Sequence, residues 1–166
     1  MTKAIRIHQT GGPEVLTWET VALGEPGPGQ IVMTQTAVGI NYIDIYVRTG
    51  LYPSELPVVA GMEAAGVVTQ IGAGVSNLSV GDRVAYPMAM GAYAEARIID
   101  AAKVVKIPDS ISDQQAAAMM LKGLTAQYLL RRTYRVQPGD PILVYAAAGG
   151  VGLILTQWAK HLGAVV

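Results

Sequence analysis

The first part of the chain alternates apolar and polar residues in short runs that glycine and proline separate. A two-residue period is typical of strands that bury one face, and clusters of glycine and proline are typical of the turns between them. We therefore predict a β-rich region that extends to about residue 108. Its strands are predicted at residues 3–8, 15–21, 30–37, 58–72, 83–86 and 92–99.

Residues 38–53 interrupt this alternation and crowd polar and aromatic side chains between glycines and prolines. We interpret the segment as a loop, and loops that carry such residues tend to carry function. Its aromatic residues are Tyr42, Tyr46 and Tyr52, for which simple packing is the alternative interpretation. Further along the chain, Glu63 lies among apolar neighbours, so we expect it to be either paired or functional.

Past Pro108 the apolar period becomes helical. A capping-box pattern opens at Ser112 and is followed by an apolar helix interior. Gly123 interrupts that pattern, and residues 124–134 predict a second helix. The change of period indicates a domain boundary close to this glycine.

The stretch 145–152 joins a short apolar run, predicted as a strand over residues 142–145, to a helix that Gly163 ends. Residues with little or no side chain let backbone N–H groups at a helix start approach a pyrophosphate. Gly149 and Gly152 match the last two glycines of the dinucleotide fingerprint G-x-G-x-x-G. Close packing of strand and helix is the alternative explanation for these small residues.

Composition narrows the function classes. The 166 residues are 51% hydrophobic and 14% charged, against about 25% charged in an average globular protein, which suggests surfaces that something else covers. The net charge is zero and no basic run occurs, so a nucleic-acid partner is not expected. Without cysteine there is no thiolate for a metal or for catalysis. Apolar stretches fall short of the ~18 residues of a membrane span, so we expect a soluble, cytoplasmic protein with no membrane partner.

The predicted organisation is two domains, residues 1–122 and residues 123–166. A doubly wound nucleotide domain has about six strands, and the chain stops at residues 164–166 as the next strand would begin. We therefore expect the chain to be the N-terminal portion of a longer protein.

Ordered motifs along the whole chain resemble the quinone oxidoreductases related to zeta-crystallin, within the medium-chain dehydrogenase/reductase superfamily. The resemblance implies a mixed β and α/β fold, with a GroES-like, partly open β-barrel domain followed by the first strand-helix unit of a Rossmann fold. It also implies an active site in the cleft between the two domains. The motifs that carry it are residues 139–140, Leu143, residues 147–152, Gln157 and Lys160, together with residues 41–44, 48–53 and 121–125.

The same resemblance implies that no metal is bound. Zinc-dependent alcohol dehydrogenases carry a histidine where this chain has Met62 and a cysteine where it has Asn41. Their third ligand would fall near Leu121 or Lys122. None of these positions offers the sulfur or imidazole that zinc requires.

The function implied is NADPH-dependent reduction of quinones, in which the cofactor does the chemistry and the protein orients it. Alternatives are a zinc-free reductase of enones or aldehydes and a non-catalytic, crystallin-like nucleotide-binding protein. A homodimer is expected for the full-length protein, and NADPH is preferred over NADH on the resemblance alone.

Site residues are carried over position by position. We expect Asn41, Tyr46, Tyr52 and Lys122 to be catalytic, whereas Asp44 and Glu63 are expected to orient their neighbours. The expected cofactor-binding residues are Asn41, Ile43, Lys122, Thr125, Ala148, Gly149, Gly150, Val151 and Gly152.

Overall fold

The structure, a computed structural model, describes all 166 residues and contains two compact units, residues 1–118 and residues 119–166. The first unit contains two antiparallel sheets, one short α-helix, 3-10 turns at Pro13–Val15 and Ala101–Lys103, and the beginning of a longer helix. Its strands and short helix are β1 (Thr2–Ile7), β2 (Leu16–Val21), β3 (Gln30–Gly39), α1 (Tyr42–Thr49), β4 (Val58–Val59), β5 (Glu63–Ile71), β6 (Arg83–Tyr86), β7 (Ala96–Asp100) and β8 (Val105–Lys106). One sheet has the strand order β2-β1-β4 and the other has the order β7-β3-β5-β6-β8.

Alternation along these strands buries one face of the five-stranded sheet, as the sequence predicts. Ile31 and Met33 of β3, Val68 of β5 and Val84 of β6 are fully buried in one cluster. The pairing of β3 with β5 has two register shifts, and beside one of them the backbones approach closely at Gly66, where a Cβ would lie 2.1 Å from the Thr34 carbonyl oxygen. The small residues of β5 therefore serve close strand packing.

Residues 58–72 do not form one strand, so that prediction is wrong. The chain turns at Gly61, which has a φ of 90°, and β4 and β5 on either side belong to different sheets. A left-handed backbone is accessible to glycine without a steric penalty, and the carbonyl of Gly61 accepts bonds from the N–H groups of Gly91 and Ala92.

The predicted loop over residues 38–53 contains a helix, α1, which is a second correction. Asn41 has an extended backbone, and the Asp44 side chain caps its N–H at 2.9 Å. Gly50, with a φ of 82°, ends the helix in a left-handed conformation. An Asn-x-x-Asp pattern and a terminal glycine are the local signals that favour a helix here.

The helix α2 (Asp113–Tyr128) begins with the predicted capping box, in which the Ser112 and Gln115 side chains bond each other's backbone N–H groups. Gly123 does not interrupt it, so the two predicted helices are one, followed by a π-helical turn at Leu129–Thr133. A single glycine costs a helix only about 1 kcal/mol, which the rest of the helix absorbs.

The last helix, α3 (Gly150–His161), ends before Gly163 as predicted. The strand predicted over residues 142–145 is absent, and only an isolated parallel bridge joins Pro141 to Val165. A buried parallel strand needs neighbours on its edges and faces, and residues 142–145 belong to no sheet. Leu143 is accordingly 80% exposed. No helix in the structure is long and apolar enough to cross a membrane.

We predict that Gly66→Ala destabilises the protein by about 1–3 kcal/mol, because the new methyl group meets backbone that cannot move aside. Gly123→Ala is the matched control, since its Cβ would lie 3.6 Å from Met119 inside a helix. That variant should gain about 0.5–1 kcal/mol. Urea unfolding measures both changes, and equal effects of the two substitutions would contradict the close approach at Gly66.

Candidate functional site

A buried carboxylate organises the start of α1. Asp44 is 7% exposed, and its Oδ2 accepts hydrogen bonds from the Asn41 backbone N–H at 2.9 Å and the Tyr93 hydroxyl at 2.7 Å. A carboxylate taken out of water must be compensated in this way. Asp44 therefore caps the start of α1 and also binds a distant loop.

Tyr93 is the partner that sequence reasoning missed. Its backbone N–H donates to the Ala60 carbonyl at 2.8 Å. Its ring packs against Gly61, where a Cβ would lie only 2.3 Å from the Tyr93 Cδ1 atom. Burial raises the pKa of Tyr93, and the hydrogen bond to Asp44 raises it further. No local pattern indicates this contact, because the two residues lie 49 positions apart.

Glu63, at the first position of β5, is fully buried. Its Oε1 accepts a hydrogen bond of 2.8 Å from the Asn41 side-chain Nδ2. Gly39 leaves room for this carboxylate, since a Cβ on that glycine would lie 2.3 Å from Oε1. Asn41 is therefore held twice, through its backbone by Asp44 and through its side chain by Glu63.

Three tyrosines form what we call the aromatic surface: Tyr42, Tyr46 and Tyr52. The Tyr42 and Tyr46 ring centroids lie 5.5 Å apart, edge to face, and those of Tyr46 and Tyr52 lie 5.2 Å apart. The Tyr52 N–H also donates to the Tyr46 carbonyl at 3.0 Å. Tyr42 is 72% exposed, so the group presents ring area to solvent and can stack on a flat ligand.

A cavity of about 630 Å³ also opens in the first unit, within the usual size range of small-molecule sites. Tyr46 and Tyr52 do not line it, so the cavity and the aromatic surface are separate features. The Nε atom of Arg48, which does line it, is buried without a hydrogen-bond partner. The wall includes Trp18, Val38, Ile40, Asn41, Asp44 and Arg48.

In the second unit, the predicted fingerprint residues open α3. Gly149 is the N-cap, and a Cβ on Gly152 would lie 2.2 Å from the Ala146 carbonyl oxygen. Ala146 has a φ of 52°, an uncommon left-handed conformation for a residue with a side chain. The turn therefore packs its backbone directly against the helix start, which only glycine at position 152 permits.

Lys122 and Thr125 of α2 lie in the same unit. The aliphatic stem of Lys122 runs past Gly150, where a Cβ would lie 2.8 Å from its Cδ. The Thr125 hydroxyl donates to the Leu121 carbonyl of its own helix at 2.8 Å. The structure thus brings Lys122 to the first turn of α3, while Thr125 bonds within α2.

The remaining predicted residues occupy mixed environments. Ala148 is exposed in the turn, Val151 is half-buried in the first turn of α3, and Ile43 is half-buried on α1. No group of three or more His, Cys, Asp or Glu side chains that could hold a metal ion occurs in the structure. Met62 is buried.

The model of the alcohol dehydrogenase GroES-like domain matches residues 27–109. The chain belongs to this family. Among GroES-like relatives, the quinone oxidoreductase of Pseudomonas syringae pv. Tomato DC3000 is 52% identical with a TM-score of 0.96, over 99% of this chain and 51% of that chain. The Escherichia coli quinone oxidoreductase complexed with NADPH is 49% identical with a TM-score of 0.95, over 98% of this chain and 50% of that chain.

A third relative, the 2-haloacrylate reductase of a Burkholderia species, is 47% identical over 100% of this chain and 52% of its own length. The chain thus spans about half the length of the curated relatives that it matches. The predicted resemblance to quinone oxidoreductases is confirmed, and so is the predicted GroES-like fold, in which two antiparallel sheets form no closed barrel.

We predict that Tyr93→Phe destabilises this GroES-like unit by about 1 kcal/mol at pH 7, after allowance for partial exposure of the tyrosine. The folded-state pKa of Tyr93 is raised above the unfolded value of about 10. Its contribution is therefore complete below pH 10 and is lost as the pH rises toward the folded-state pKa. Urea unfolding of both proteins between pH 7 and pH 11 measures the difference, with exposed Tyr42→Phe as control. A difference that grows above pH 10 would contradict the assignment.

Proposed function

We propose that the complete protein is an NADPH-dependent reductase that transfers electrons or hydride to a quinone without zinc. The observation that carries this proposal is the glycine turn at the start of α3, where Gly152 packs under the Ala146 carbonyl. The relative complexed with NADPH supports the choice of nucleotide. The chain spans about half the length of its relatives. The activity, the cofactor and the substrate are therefore proposed for the complete protein.

The residues of the second unit fit a dinucleotide phosphate. The first N–H groups of a helix lack intrahelical acceptors, and the helix dipole adds positive potential at that end. Gly149, Gly150, Val151 and Gly152 would direct these groups at the pyrophosphate, with no side chain to hold it away. Lys122, whose stem passes Gly150, would add a positive charge beside the same phosphate or its ribose.

The first unit would orient the nicotinamide and the acceptor. NADPH supplies the reducing equivalents when it is bound, and the protein controls orientation and access. Asn41, held by Glu63 and Asp44, would hydrogen-bond the nicotinamide nucleoside, and Ile43 would pack against it. Tyr46 and Tyr52 would stack on the acceptor ring and donate a hydrogen bond to its oxygen.

Zinc is not required for this chemistry. A quinone accepts electrons readily, so its carbonyl needs no Lewis acid. The donor set points the same way, because Met62 and Asn41 replace the histidine and cysteine of zinc-dependent relatives. Neither a thioether nor an amide is a usual ligand of catalytic zinc.

The 2-haloacrylate reductase relative favours a second candidate, reduction of an activated carbon–carbon double bond. The two reductases would share the nucleotide-binding site and differ in the substrate that accepts the electrons. Dimerisation and a cytoplasmic location, expected from the resemblance and the composition, stay predictions.

The first test is thermal unfolding of the complete gene product with and without NADPH and NADH. A ligand that binds only the native state stabilises it by about 2.7 kcal/mol at one hundred times its Kd. We expect a clear increase in Tm with NADPH. In Gly152→Ala the same increase should require at least ten times more NADPH, because the methyl group displaces the turn. Leu153→Ala, an exposed neighbour on α3, is the control. An unchanged Tm with both nucleotides would refute the proposal that the glycine turn at the start of α3 binds the phosphates.

The second test separates the acceptors. With NADPH, Tyr46→Leu should lower kcat/KM for a naphthoquinone about tenfold while NADPH affinity is unchanged, because the central ring of the aromatic surface is lost. Steady-state kinetics with the naphthoquinone and with 2-chloroacrylate measure this. Turnover of 2-chloroacrylate alone would favour the second candidate, and wild-type kinetics for the quinone in the variant would contradict the role of Tyr46.

A further inference from the structure

Arg48 is the only cationic side chain in the wall of the cavity in the first unit. Its guanidinium group forms no hydrogen bond or ion pair with the protein, and its Nε atom is buried while Nη1 and Nη2 remain accessible. A charge that is partly removed from water lowers stability unless an acceptor or an opposite charge meets it. The half-buried Arg48 side chain therefore has unused capacity to bind an acceptor that a ligand supplies.

Other polar side chains in the same wall are already bonded to the protein. The Gln35 amide donates to two backbone carbonyls, and its oxygen accepts from a tyrosine hydroxyl. The Tyr93 hydroxyl donates to Asp44, and the Thr36 hydroxyl donates to a carboxylate at the start of α2. Arg48 differs from these residues, because its guanidinium group meets no acceptor of the protein.

Most of the remaining wall is apolar. Trp18 is 55% exposed and Val38 is 43% exposed, so apolar area is open to a molecule that enters the cavity. The volume of about 630 Å³ suits a small molecule and is well below what a folded segment requires. An apolar wall with one unpaired cation is complementary to an apolar body that carries a single negative charge.

We propose that this cavity is a binding site for a small organic acid, whose apolar body packs against Trp18 and whose carboxylate binds Nη1 and Nη2 of Arg48. A guanidinium group presents parallel N–H groups that match the two oxygens of a carboxylate. Tyr46 and Tyr52 are not part of the wall. The site is therefore separate from the proposed acceptor site, and the inference does not rest on the proposed function.

Two acidic side chains in the wall determine where the ligand carboxylate can lie. Asp44 Oδ2 accepts hydrogen bonds from two protein donors, and the exposed Glu95 accepts one from the Lys3 backbone N–H at 3.2 Å. Because like charges repel, a ligand carboxylate binds at the guanidinium group of Arg48 and nowhere else in the cavity. For the same reason a singly charged acid is favoured over a phosphate dianion.

The test is calorimetric titration of the complete gene product at pH 7 with 1-adamantanecarboxylate. Its globular hydrocarbon body cannot stack flat on the aromatic surface. The neutral 1-adamantanecarboxamide has nearly the same shape and serves as the matched probe. We expect the carboxylate to bind about tenfold more tightly than the amide, because a charge-assisted pair is stronger than a neutral hydrogen bond.

Two substitutions separate the charge from the apolar wall. Arg48→Leu keeps an apolar side chain in the wall and removes the charge, so it should weaken the carboxylate about tenfold and leave the amide nearly unchanged. Trp18→Ala should weaken both probes to a similar degree, because both lose the same apolar contact. Arg131→Leu, which removes an exposed arginine from the second unit, is the control for Arg48→Leu.

Equal affinities of the wild-type protein for the two probes would overturn the inference, and this readout needs no variant to fold. An unchanged carboxylate affinity in Arg48→Leu would overturn it as well. So would the absence of any binding by the wild-type protein, which would mean that another part of the complete protein fills the cavity. Failure of the proposed function looks different, because NADPH would then leave the Tm unchanged while the carboxylate still binds.

Discussion

The constraint on which the first unit depends is the burial of Asp44 at the start of α1. A buried carboxylate must be matched by donors, and here these come from Asn41 at the helix start and from Tyr93 in a distant loop. Tyr93 is itself bound through its backbone to Ile5 of β1 and to Ala60 beyond β4. One acid therefore ties the short helix to the three-stranded sheet.

A second polar network holds the loop that carries Tyr93. The Gln35 side chain donates to the carbonyls of Ala92 and Ala94 and accepts from the Tyr86 hydroxyl. Arg97 donates to that hydroxyl at 3.0 Å and stacks over the Tyr86 ring at 4.9 Å. Burial raises the pKa of Tyr86. Because every member of this network is satisfied, it fixes the loop rather than weakening the core.

Sequence alone predicts those features that depend on local spacing. Burial of one sheet face imposes alternation, so most strands were found, and the Ser112 capping box marked the start of α2. The predictions failed where residues far apart in the sequence determine the secondary structure. The run 58–72 is divided at Gly61 between two sheets, and the run 142–145 has no neighbouring strands to pair with. Candidate residues came from motif resemblance, whereas the hydrogen bond from Tyr93 to Asp44 joins parts of the chain that no pattern connects.

The helix α1 is eight residues long, which is too short to be stable by itself in water. Its inward face is Asp44 and Val47, and its outward face includes the exposed Tyr42. The buried acid costs stability that an apolar residue would not, but an apolar residue would provide neither the cap nor the bond to Tyr93. The direction in which the tyrosines face solvent is therefore set by polar contacts on the opposite side of the helix. Specific orientation of the aromatic surface is what the buried polar residues contribute in return for their desolvation.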